Sequence, residues 1–373
     1  MKKRVSVLGA TGSIGKSSLD VISRDRENFE VILLSARSRR RELEEIASQW
    51  PSAVCVLAEE DGNKKLLDAI GKVRADITIN GISGGAGLLP SLAAIESGSD
   101  LALANKETVV MAGKLVFRAA KEKNVKIIPV DSEHSAIFHL LEAHTGENRG
   151  AQEISEIILT ASGGPFRKMT LREMESVSPK DALAHPTWKM GPKITIDSAT
   201  MANKGLEIIE ACAFFNIPPE KIKVVIHPQS IVHSMIKLSS GVFYAQLSRP
   251  DMRHPIHDAL YWPLTAPSSL QTLDFDSLTL EFEKPDTEKF PMLTLAREAA
   301  ARGGLYPCAF NAANEEAVGA FLKGAIGFLE IPKITGYVLE EDWTGDCLDL
   351  ETILKTDADV RKKAVSLIDK NMS

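Results

Sequence analysis

The stretch from Asp197 to Ala211, DSATMANKGLEIIEA, gathers polar groups of the kind that bind phosphate. Ser198, Asn203 and Lys204 supply a hydroxyl, an amide and an ammonium group. The β-branched residues 194–196 predict a strand before them, and a helix is predicted near Lys204. Because the first turn of a helix has free backbone N–H groups and a partial positive charge, these side chains favour a phosphate site. An ordinary capped helix with solvated charges is the alternative.

Three carboxylates have positions that suit a metal ion. Asp131 and Glu133 lie between a predicted strand at 125–130 and an apolar helix predicted from Ala136, and Glu207 lies on the helix of the phosphate stretch. In an extended chain, residues two apart point the same way, so we expect Asp131 and Glu133 to converge. Paired carboxylates repel unless a positive charge lies between them, and oxygen-only ligation favours Mg²⁺ or Mn²⁺ over Zn²⁺. An acidic helix N-terminus is the alternative.

Lys106 follows another predicted strand, at 101–104, and begins a predicted helix. In open parallel sheets ligands bind beyond the carboxyl ends of the strands, which is where this lysine is placed. Its ammonium group could stabilise negative charge that develops on a substrate oxygen. A surface lysine in the first turn of a helix is the alternative.

The beginning of the chain carries a dinucleotide-binding fingerprint. A predicted strand at 4–8 leads into Gly9, Gly12 and Gly15, and a helix is predicted to run to about Ser23. Small residues in such a turn let the backbone approach a pyrophosphate at the N-terminus of the helix. A tight turn in some other α/β protein is the alternative.

The residues after the second predicted strand, at 29–34, indicate which cofactor is bound. An enzyme that holds a free ribose 2′-hydroxyl usually has an acidic residue here, whereas this chain reads SARSRRR at 35–41. The missing acid and the four arginines favour a 2′-phosphate, and therefore NADP. A solvated basic helix start, balanced by the glutamates at 42, 44 and 45, is the alternative.

A long segment at 162–193 has no clear apolar period and is rich in proline and glycine. Loops of this length are usually lids, binding loops or disordered segments. Trp188 and Met190 provide apolar surface beside His185, so we predict a lid that closes over a ligand. The alternative is an irregular connection with Trp188 packed into the core.

Length and composition predict a soluble globular protein of two or three domains. The chain has 373 residues and a net charge of −6, which argues against general binding to nucleic acid. The four cysteines are widely spaced and form no CxxC pair, which favours a reducing cytoplasm and offers no thiolate metal site. We expect no export signal and no membrane span. The histidines at 227, 233, 254 and 257 are expected to be structural.

Alternating strands and helices predict an N-terminal Rossmann-like domain at 1–131 and a central α/β domain with a flexible lid loop at 132–262. A polar, proline-bearing linker is predicted at 263–291, followed by a C-terminal helical domain at 292–373.

These motifs together resemble those of the 1-deoxy-D-xylulose 5-phosphate reductoisomerase family. The resemblance extends over essentially the whole chain, and its most specific part is the stretch at 185–211. The motifs are GATGSIG at 9–15, LANKE at 103–107, DSEHSAIF at 131–138, SGGPF at 162–166, HPTWKMGPKITIDSATMANKGLEIIEA at 185–211, HPQSIVHSM at 227–235 and FNAANE at 310–315.

The resemblance implies an NADPH- and metal-dependent enzyme of the non-mevalonate isoprenoid pathway. It would rearrange 1-deoxy-D-xylulose 5-phosphate to an aldehyde and reduce that aldehyde to 2-C-methyl-D-erythritol 4-phosphate. The divalent cation would be Mg²⁺, Mn²⁺ or Co²⁺, and the protein would be a cytoplasmic homodimer that binds neither nucleic acid nor a membrane.

The resemblance also implies roles for individual residues. Those implied in catalysis are Lys106, Glu133 and His185. Those implied in substrate binding are Lys106, Ser132, Glu133, Ser162, His185, Trp188, Met190, Ser198, Asn203, Lys204 and Glu207. The implied metal ligands are Asp131, Glu133 and Glu207. Those implied in cofactor binding are Thr11, Gly12, Ser13, Ile14, Ala36, Arg37, Ser38, Asn105, Glu107 and Gly191. At three of these, Ala36-Arg37-Ser38, the family often has Gly-Lys-Asn.

Two other functions share some of these features. A simple NADP-dependent dehydrogenase or semialdehyde reductase needs the fingerprint but not three oxygen ligands, so strict metal dependence separates it from a reductoisomerase. A regulatory NADP-sensing protein without turnover would not need the carboxylates of Asp131, Glu133 and Glu207.

Overall fold

Strands and helices alternate along the first 145 residues of the computed structural model, which describes residues 1–145, 154–188 and 190–371. The predicted strands of this part are confirmed. The elements are β1 (Lys3–Leu8), α1 (Ser13–Ser23), β2 (Phe29–Ala36), α2 (Arg40–Ser48), β3 (Val54–Leu57), α3 (Ala58–Val73), β4 (Ile77–Asn80), α4 (Leu88–Glu96), β5 (Asp100–Leu103), α5 (Lys106–Lys123), β6 (Ile127–Pro129) and α6 (Ser132–Thr145).

The first six strands form a parallel sheet in the order β3-β2-β1-β4-β5-β6. This is the doubly wound order of dinucleotide-binding folds. Leu8 pairs with Asn80, and Asn80 pairs with Leu103. Leu103 in turn pairs with Pro129, so β1, β4, β5 and β6 end at the same edge. The glycine-rich turn, Lys106 and Asp131 all follow these strand ends, as predicted.

Close approach of backbone explains two glycines of the fingerprint. Gly9 has φ of +79°, and a Cβ atom there would lie 2.8 Å from the carbonyl oxygen of Gly81. A Cβ on Gly15 would lie 2.4 Å from the carbonyl oxygen of Gly9. Real Cβ atoms do not approach backbone this closely, so a side chain at either position would force the turn open. The turn therefore keeps the N-terminus of α1 close to the end of β1.

The remaining elements form a second sheet and a set of helices. They are β7 (Ile154–Ala161), α7 (Leu171–Met174), α8 (Pro179–Ala182), α9 (Pro192–Thr200), α10 (Ala202–Phe215), β8 (Ile222–Ile226), β9 (Val232–Leu238), β10 (Phe243–Leu247), α11 (Arg253–Tyr261), α12 (Met292–Arg302), α13 (Tyr306–Leu322), α14 (Glu330–Leu339) and α15 (Leu350–Asn371). The sheet has the order β10-β9-β7-β8, with β7 parallel to β8 and antiparallel to β9. The predicted helical C-terminal part is confirmed.

The chain divides into two compact units. The first comprises residues 1–108, 114–135 and 251–271, and its core is centred on apolar residues of β1, β2 and β4. The second comprises residues 109–113, 136–250 and 272–373, and its core joins α9, α10, α12 and α13 to the second sheet. Among the described residues, no helix combines the length and the apolar character needed to cross a membrane.

The strand predicted at 194–196 is wrong, because these residues lie within helix α9. Gly191 is the N-cap of α9, and Pro192 occupies its first turn, where a fixed φ and a missing N–H suit a helix start. Thr195, Ile196 and Ala199 are buried on one face of the helix. Packing of that face therefore overrides the strand preference of the β-branched residues.

The segment at 162–193 contains more regular structure than the sequence predicted. Helices α7 and α8 each begin with a capping box, formed by Thr170 with Glu173 and by Ser178 with Asp181. A capping box is readable in sequence, but the segment has no clear apolar period, because four residues are too few to show one. Met174 is fully buried and anchors α7 in the core. Outside these two helices, the described residues 162–170, 175–178, 183–188 and 190–191 contain no helix.

Candidate active site

Lys106 and Asp131 form a buried ion pair in the first unit. Their Nζ and Oδ2 atoms are 2.6 Å apart, and the side chains are 5% and 15% exposed. Burial by itself would raise the pKa of Asp131, but the charges of Lys106 and His134 outweigh it and hold that pKa below its usual range. Asp131 is therefore a carboxylate at neutral pH, with a lysine ammonium directly beside it.

Ser132 and Glu133 lie next to this pair, in the first turn of α6. The Ser132 hydroxyl donates a hydrogen bond to the Glu133 carboxylate. The expected extended chain at 131–133 is wrong, because α6 already begins at Ser132. The predicted alternative of acids at a helix N-terminus therefore describes the backbone correctly. It leaves open what the carboxylates bind.

Asn105 organises the loop that faces the glycine-rich turn. It caps α5 by accepting a hydrogen bond from the backbone N–H of Thr108. Its amide donates to the carbonyl oxygens of Ile82 and Gly84, at 2.6 and 2.9 Å, and to the carboxylate of Glu107 at 2.9 Å. Two predicted cofactor residues, Asn105 and Glu107, are thus brought together at the end of β5.

Asn80 supports the same loop and was missed by sequence analysis. It is fully buried and donates to the carbonyl oxygen of Gly87 and to the hydroxyl of Ser91, at 3.0 and 2.7 Å. It also accepts from the backbone N–H of Ile82 at 3.0 Å. A polar residue that ends the apolar strand ITIN was the available signal.

The other predicted cofactor residues surround the start of α1 and the end of β2. Gly12 is the N-cap of α1 and has no side chain, so no cap side chain accepts a hydrogen bond from the first backbone N–H groups of the helix. Thr11 and Ala36 are buried, whereas Ser13, Arg37 and Ser38 are exposed and Ile14 is intermediate.

The arginines after β2 are paired with acids on the surface. Arg39 pairs with Glu42 at 3.0 Å and Arg37 with Glu59 at 3.2 Å. Arg40 pairs with Glu60 and Glu44. The predicted balancing acids at 42 and 44 are present, and α3 adds two that sequence analysis missed. Exposed pairs of this kind contribute only about 0–1 kcal/mol each, so a bound anion can replace them.

Three residues of the second unit that were predicted to bind substrate meet in one cluster. The Nε2 atom of His185 lies 3.1 Å from the hydroxyl of Ser162 and 3.1 Å from the hydroxyl of Ser198. Ser162 follows β7 and Ser198 lies on α9. A Cβ atom on Gly164 would lie 2.7 Å from the carbonyl oxygen of Ser198, so this glycine lets the two elements approach.

The backbone fixes the tautomer of His185. Its Nδ1 atom accepts hydrogen bonds from the backbone N–H groups of Thr187 and Trp188, at 3.1 and 2.9 Å. The proton of a neutral imidazole must then reside on Nε2, where it can be donated to an oxygen. Burial lowers the pKa of His185, which favours this neutral form at pH 7. The cluster therefore presents one N–H and two hydroxyls, a suitable set for a phosphate.

Helix α10 brings Asn203, Lys204 and Glu207 together, as predicted. The Asn203 amide donates to Glu207 Oε1 at 2.6 Å, and the Lys204 ammonium donates to Glu207 Oε2. Lys204 and Glu207 are 3% and 0% exposed. A Cβ atom on Gly205 would lie 2.6 Å from that of Ala296, so α10 packs closely on α12.

The remaining predicted residues follow His185 along the chain. Trp188 and Met190 are both partly exposed, and Gly191 is exposed at the start of α9. Partial exposure does not by itself decide whether Trp188 belongs to a lid or packs against the core. His227 is structural, as expected, because it accepts from two backbone N–H groups at 3.1 Å and lies 2.8 Å from the carbonyl oxygen of Glu281.

Comparisons with known proteins agree with these arrangements. The model of the 1-deoxy-D-xylulose 5-phosphate reductoisomerase family matches residues 5–73 and 59–113. The models of its C-terminal domains match residues 127–215 and 247–363.

Individual relatives are similar over nearly the whole chain. The 1-deoxy-D-xylulose 5-phosphate reductoisomerase of Treponema denticola is 48% identical to this chain, and the match covers 98% of this chain and 97% of the relative's length. A crystal structure of DOX-P reductoisomerase in complex with NADPH, fosmidomycin and magnesium is 38% identical, with a TM-score of 0.93 and 98% of each chain covered. The Zymomonas mobilis enzyme in complex with NADPH is 42% identical, with a TM-score of 0.86 and 99% of each chain covered. This chain therefore belongs to the 1-deoxy-D-xylulose 5-phosphate reductoisomerase family.

Proposed function

We propose that this protein converts 1-deoxy-D-xylulose 5-phosphate to 2-C-methyl-D-erythritol 4-phosphate, with NADPH and a divalent metal ion, in the non-mevalonate isoprenoid pathway. The observation that carries the proposal is the Ser162–His185–Ser198 cluster, because it offers hydrogen-bond donors for the phosphate group of such a substrate. Membership of the family supports it. We also propose a cytoplasmic homodimer and the four-part domain division at 131, 262 and 291.

The proposed metal ligands are Asp131, Glu133 and Glu207. Carboxylate oxygens without a soft ligand fit Mg²⁺, Mn²⁺ or Co²⁺ better than Zn²⁺. Asp131 and Glu207 each form an ion pair with a lysine, Lys106 and Lys204 respectively. When bound, such a cation would hold two vicinal oxygens of the substrate and polarise its carbonyl group.

The proposed cofactor site is the turn at the start of α1, with Asn105 and Glu107 at the end of β5. Gly9 and Gly15 let the turn pack tightly between β1 and α1. The backbone N–H groups at the N-terminus of α1 could then bind a pyrophosphate. NADPH would supply the hydride for the reduction. We propose Thr11, Gly12, Ser13, Ile14, Ala36, Arg37, Ser38 and Gly191 as further contacts.

Other side chains have proposed roles in catalysis, in phosphate binding and in the exclusion of water. Lys106 would stabilise negative charge on a substrate oxygen, with Ser132 and Glu133 beside the reacting carbons. The phosphate would bind Ser162, Ser198, Asn203 and Lys204, with the Nε2–H group of His185 as a further donor. Lys204 has three N–H donors, so it can keep its contact with Glu207 while it binds a phosphate oxygen. Trp188 and Met190 would cover the substrate and exclude water.

A coupled measurement tests the proposed function. Oxidation of NADPH by the purified protein should require both the ketose phosphate and a divalent cation, and a chelator should abolish it. Turnover that continues in metal-stripped buffer would favour a simple NADP-dependent reductase. No turnover with any added metal would favour a protein that only senses the cofactor.

We predict a strong preference for NADPH over NADH. Ala36 stands where an enzyme specific for NADH usually has an acid, and Arg37, Arg39 and Arg40 are exposed nearby. The ratio of kcat/KM values for the two cofactors should exceed about 100-fold, because charge-assisted hydrogen bonds to a 2′-phosphate contribute about 1.5–3 kcal/mol each. Replacing Arg37→Gln should lower kcat/KM for NADPH and leave that for NADH unchanged. Equal kcat/KM values in the unmodified protein would refute the preference.

We predict that Trp188→Ala lowers kcat/KM for the ketose phosphate by about 10-fold or more, which corresponds to about 1.4 kcal/mol. The side chain is partly exposed, and its orienting contact with His185 comes from the backbone, so the melting temperature should hardly change.

Trp343→Ala is the matched control for Trp188→Ala. Trp343 packs against the core of the second unit and donates to the carbonyl oxygen of Val338 at 2.7 Å. This variant should lose thermal stability and retain kcat/KM. A fall in melting temperature for Trp188→Ala as large as that for Trp343→Ala would mean that Trp188 is a structural residue.

A further inference from the structure

The C-terminal helices carry no residue of the proposed site, yet α13 contains two fully buried asparagines. These are Asn311 and Asn314, in the sequence FNAANEEAV. The amide oxygen of each lacks a hydrogen-bond partner among the described residues. A buried acceptor without a partner destabilises a fold. The favourable contribution of each asparagine must therefore come from the hydrogen bond that its N–H group donates.

The two asparagines hold different groups. Asn311 donates to Glu315, one turn further along α13, at 3.1 Å. Asn314 instead donates to the Oδ1 atom of Asp197 on α9, at 2.7 Å, across 117 residues of sequence. An amide must present its nitrogen to a carboxylate, so the chemistry fixes the orientation of this side chain.

Asp197 precedes Ser198, the α9 member of the proposed phosphate site. Its side chain is 1% exposed, and its second oxygen lies 2.8 Å from the ammonium group of Lys193. A buried carboxylate this close to a phosphate would repel it unless its charge were offset. The ammonium group of Lys193 offsets the charge at one oxygen of Asp197, and the amide of Asn314 donates a hydrogen bond to the other. Asn314 also ties α9 to α13.

Helix α13 is itself held firmly. Arg361 of α15 donates to Glu315 at 2.7 Å and to Glu316 at 2.9 Å. These two glutamates directly follow Asn314 in α13. A rigid helix is a better anchor than a loop for a group that must hold another in register. The hydrogen bond from Asn314 therefore adds a directional polar contact to the apolar packing of α9 on the C-terminal helices.

We propose that Asn314 is a positioning residue, which holds Asp197 and thereby places Ser198 for phosphate binding. The inference rests on the proposed function, since it concerns the phosphate group of the same substrate. It gives the C-terminal helices a part in substrate recognition that their sequence did not indicate.

Asn314→Leu and Asn311→Leu form a matched pair for the test. Both replace a fully buried asparagine of α13 by an apolar residue of similar size, but only the first removes a contact with α9. Binding of inorganic phosphate to the full-length variants, measured by calorimetry, reports on the site without turnover. We expect phosphate to bind Asn314→Leu at least about 5-fold more weakly than Asn311→Leu, with NADPH affinity equal in the two.

Steady-state kinetics provide a second readout. Asn314→Leu should raise KM for the ketose phosphate by a similar factor while kcat changes less, because the chemistry occurs elsewhere on the substrate. Asn314→Asp is nearly isosteric and places a second carboxylate against Asp197. It should also weaken phosphate binding, and it serves if the leucine variant does not fold.

The outcomes separate this inference from the proposed function. If the unmodified protein binds phosphate and Asn314→Leu binds it equally well, Asn314 is merely structural and the inference is overturned. If the unmodified protein binds no phosphate, the proposed phosphate site fails, and the inference fails with it.

Discussion

The substitution Glu133→Gln is expected to lower kcat by about 1,000-fold, which corresponds to a loss of about 4 kcal/mol of transition-state stabilisation. The change keeps the size of the side chain and removes the charge of a proposed metal ligand. The metal concentration that gives half-maximal activity should rise, because a neutral amide oxygen binds a hard cation more weakly than a carboxylate. NADPH affinity should be unchanged, since the proposed cofactor contacts lie at the starts of α1, α5 and α9 and around the end of β2, and none lies on α6.

Glu142→Gln is the control for Glu133→Gln. It removes the same charge from the same helix, at an exposed position near the other end of α6. This variant should retain full activity and an unchanged requirement for metal. The proposed role of Glu133 would be wrong if Glu133→Gln stayed nearly as active as Glu142→Gln, or if it turned over in metal-stripped buffer.

Replacing Lys106→Met is expected to lower both activity and stability. The loss in kcat should be about 100-fold or more, because an electrostatic group directed at a reacting oxygen contributes about 2.7–4 kcal/mol. Removing one partner of a buried ion pair also costs about 3–5 kcal/mol, since the carboxylate of Asp131 is left uncompensated. The pKa of Asp131 should rise, because Lys106, one of the two groups that lower it, has gone.

A second substitution separates the two effects of Lys106→Met. The double variant Lys106→Met, Asp131→Asn removes both charges of the pair, so the melting temperature should recover relative to Lys106→Met alone. Activity should not recover, because both the lysine and a proposed metal ligand are then missing. If activity returned together with stability, Lys106 would have only a structural role.

The parts of the fold that depend on local pattern could be predicted from sequence. The alternation of apolar strands with helices, and the glycines between β1 and α1, predicted the parallel sheet and its cofactor turn. Lys106 and Asp131 were placed correctly because parallel strands end at a common edge. Asn203 and Glu207 were placed correctly because a helix brings residues four apart together.

The parts that depend on tertiary packing could not be predicted in the same way. Residues 194–196 have a strand composition, but a buried helical face decides their conformation. The contact between Asn314 and Asp197 joins residues that no local pattern relates. The tautomer of His185 is fixed by the backbone N–H groups of Thr187 and Trp188. These groups reach the imidazole only because the chain turns back after His185, and the residue types do not reveal that turn.

The carbon skeleton of the product tests the proposed function most directly. The protein, NADPH, Mg²⁺ and ¹³C-labelled 1-deoxy-D-xylulose 5-phosphate should be incubated together, and the product analysed by nuclear magnetic resonance. We predict the branched 2-C-methyl-D-erythritol 4-phosphate, formed in a 1:1 ratio with the NADPH oxidised. An unbranched reduced sugar phosphate would mean that the protein reduces the ketone without rearrangement, which would contradict the proposed function.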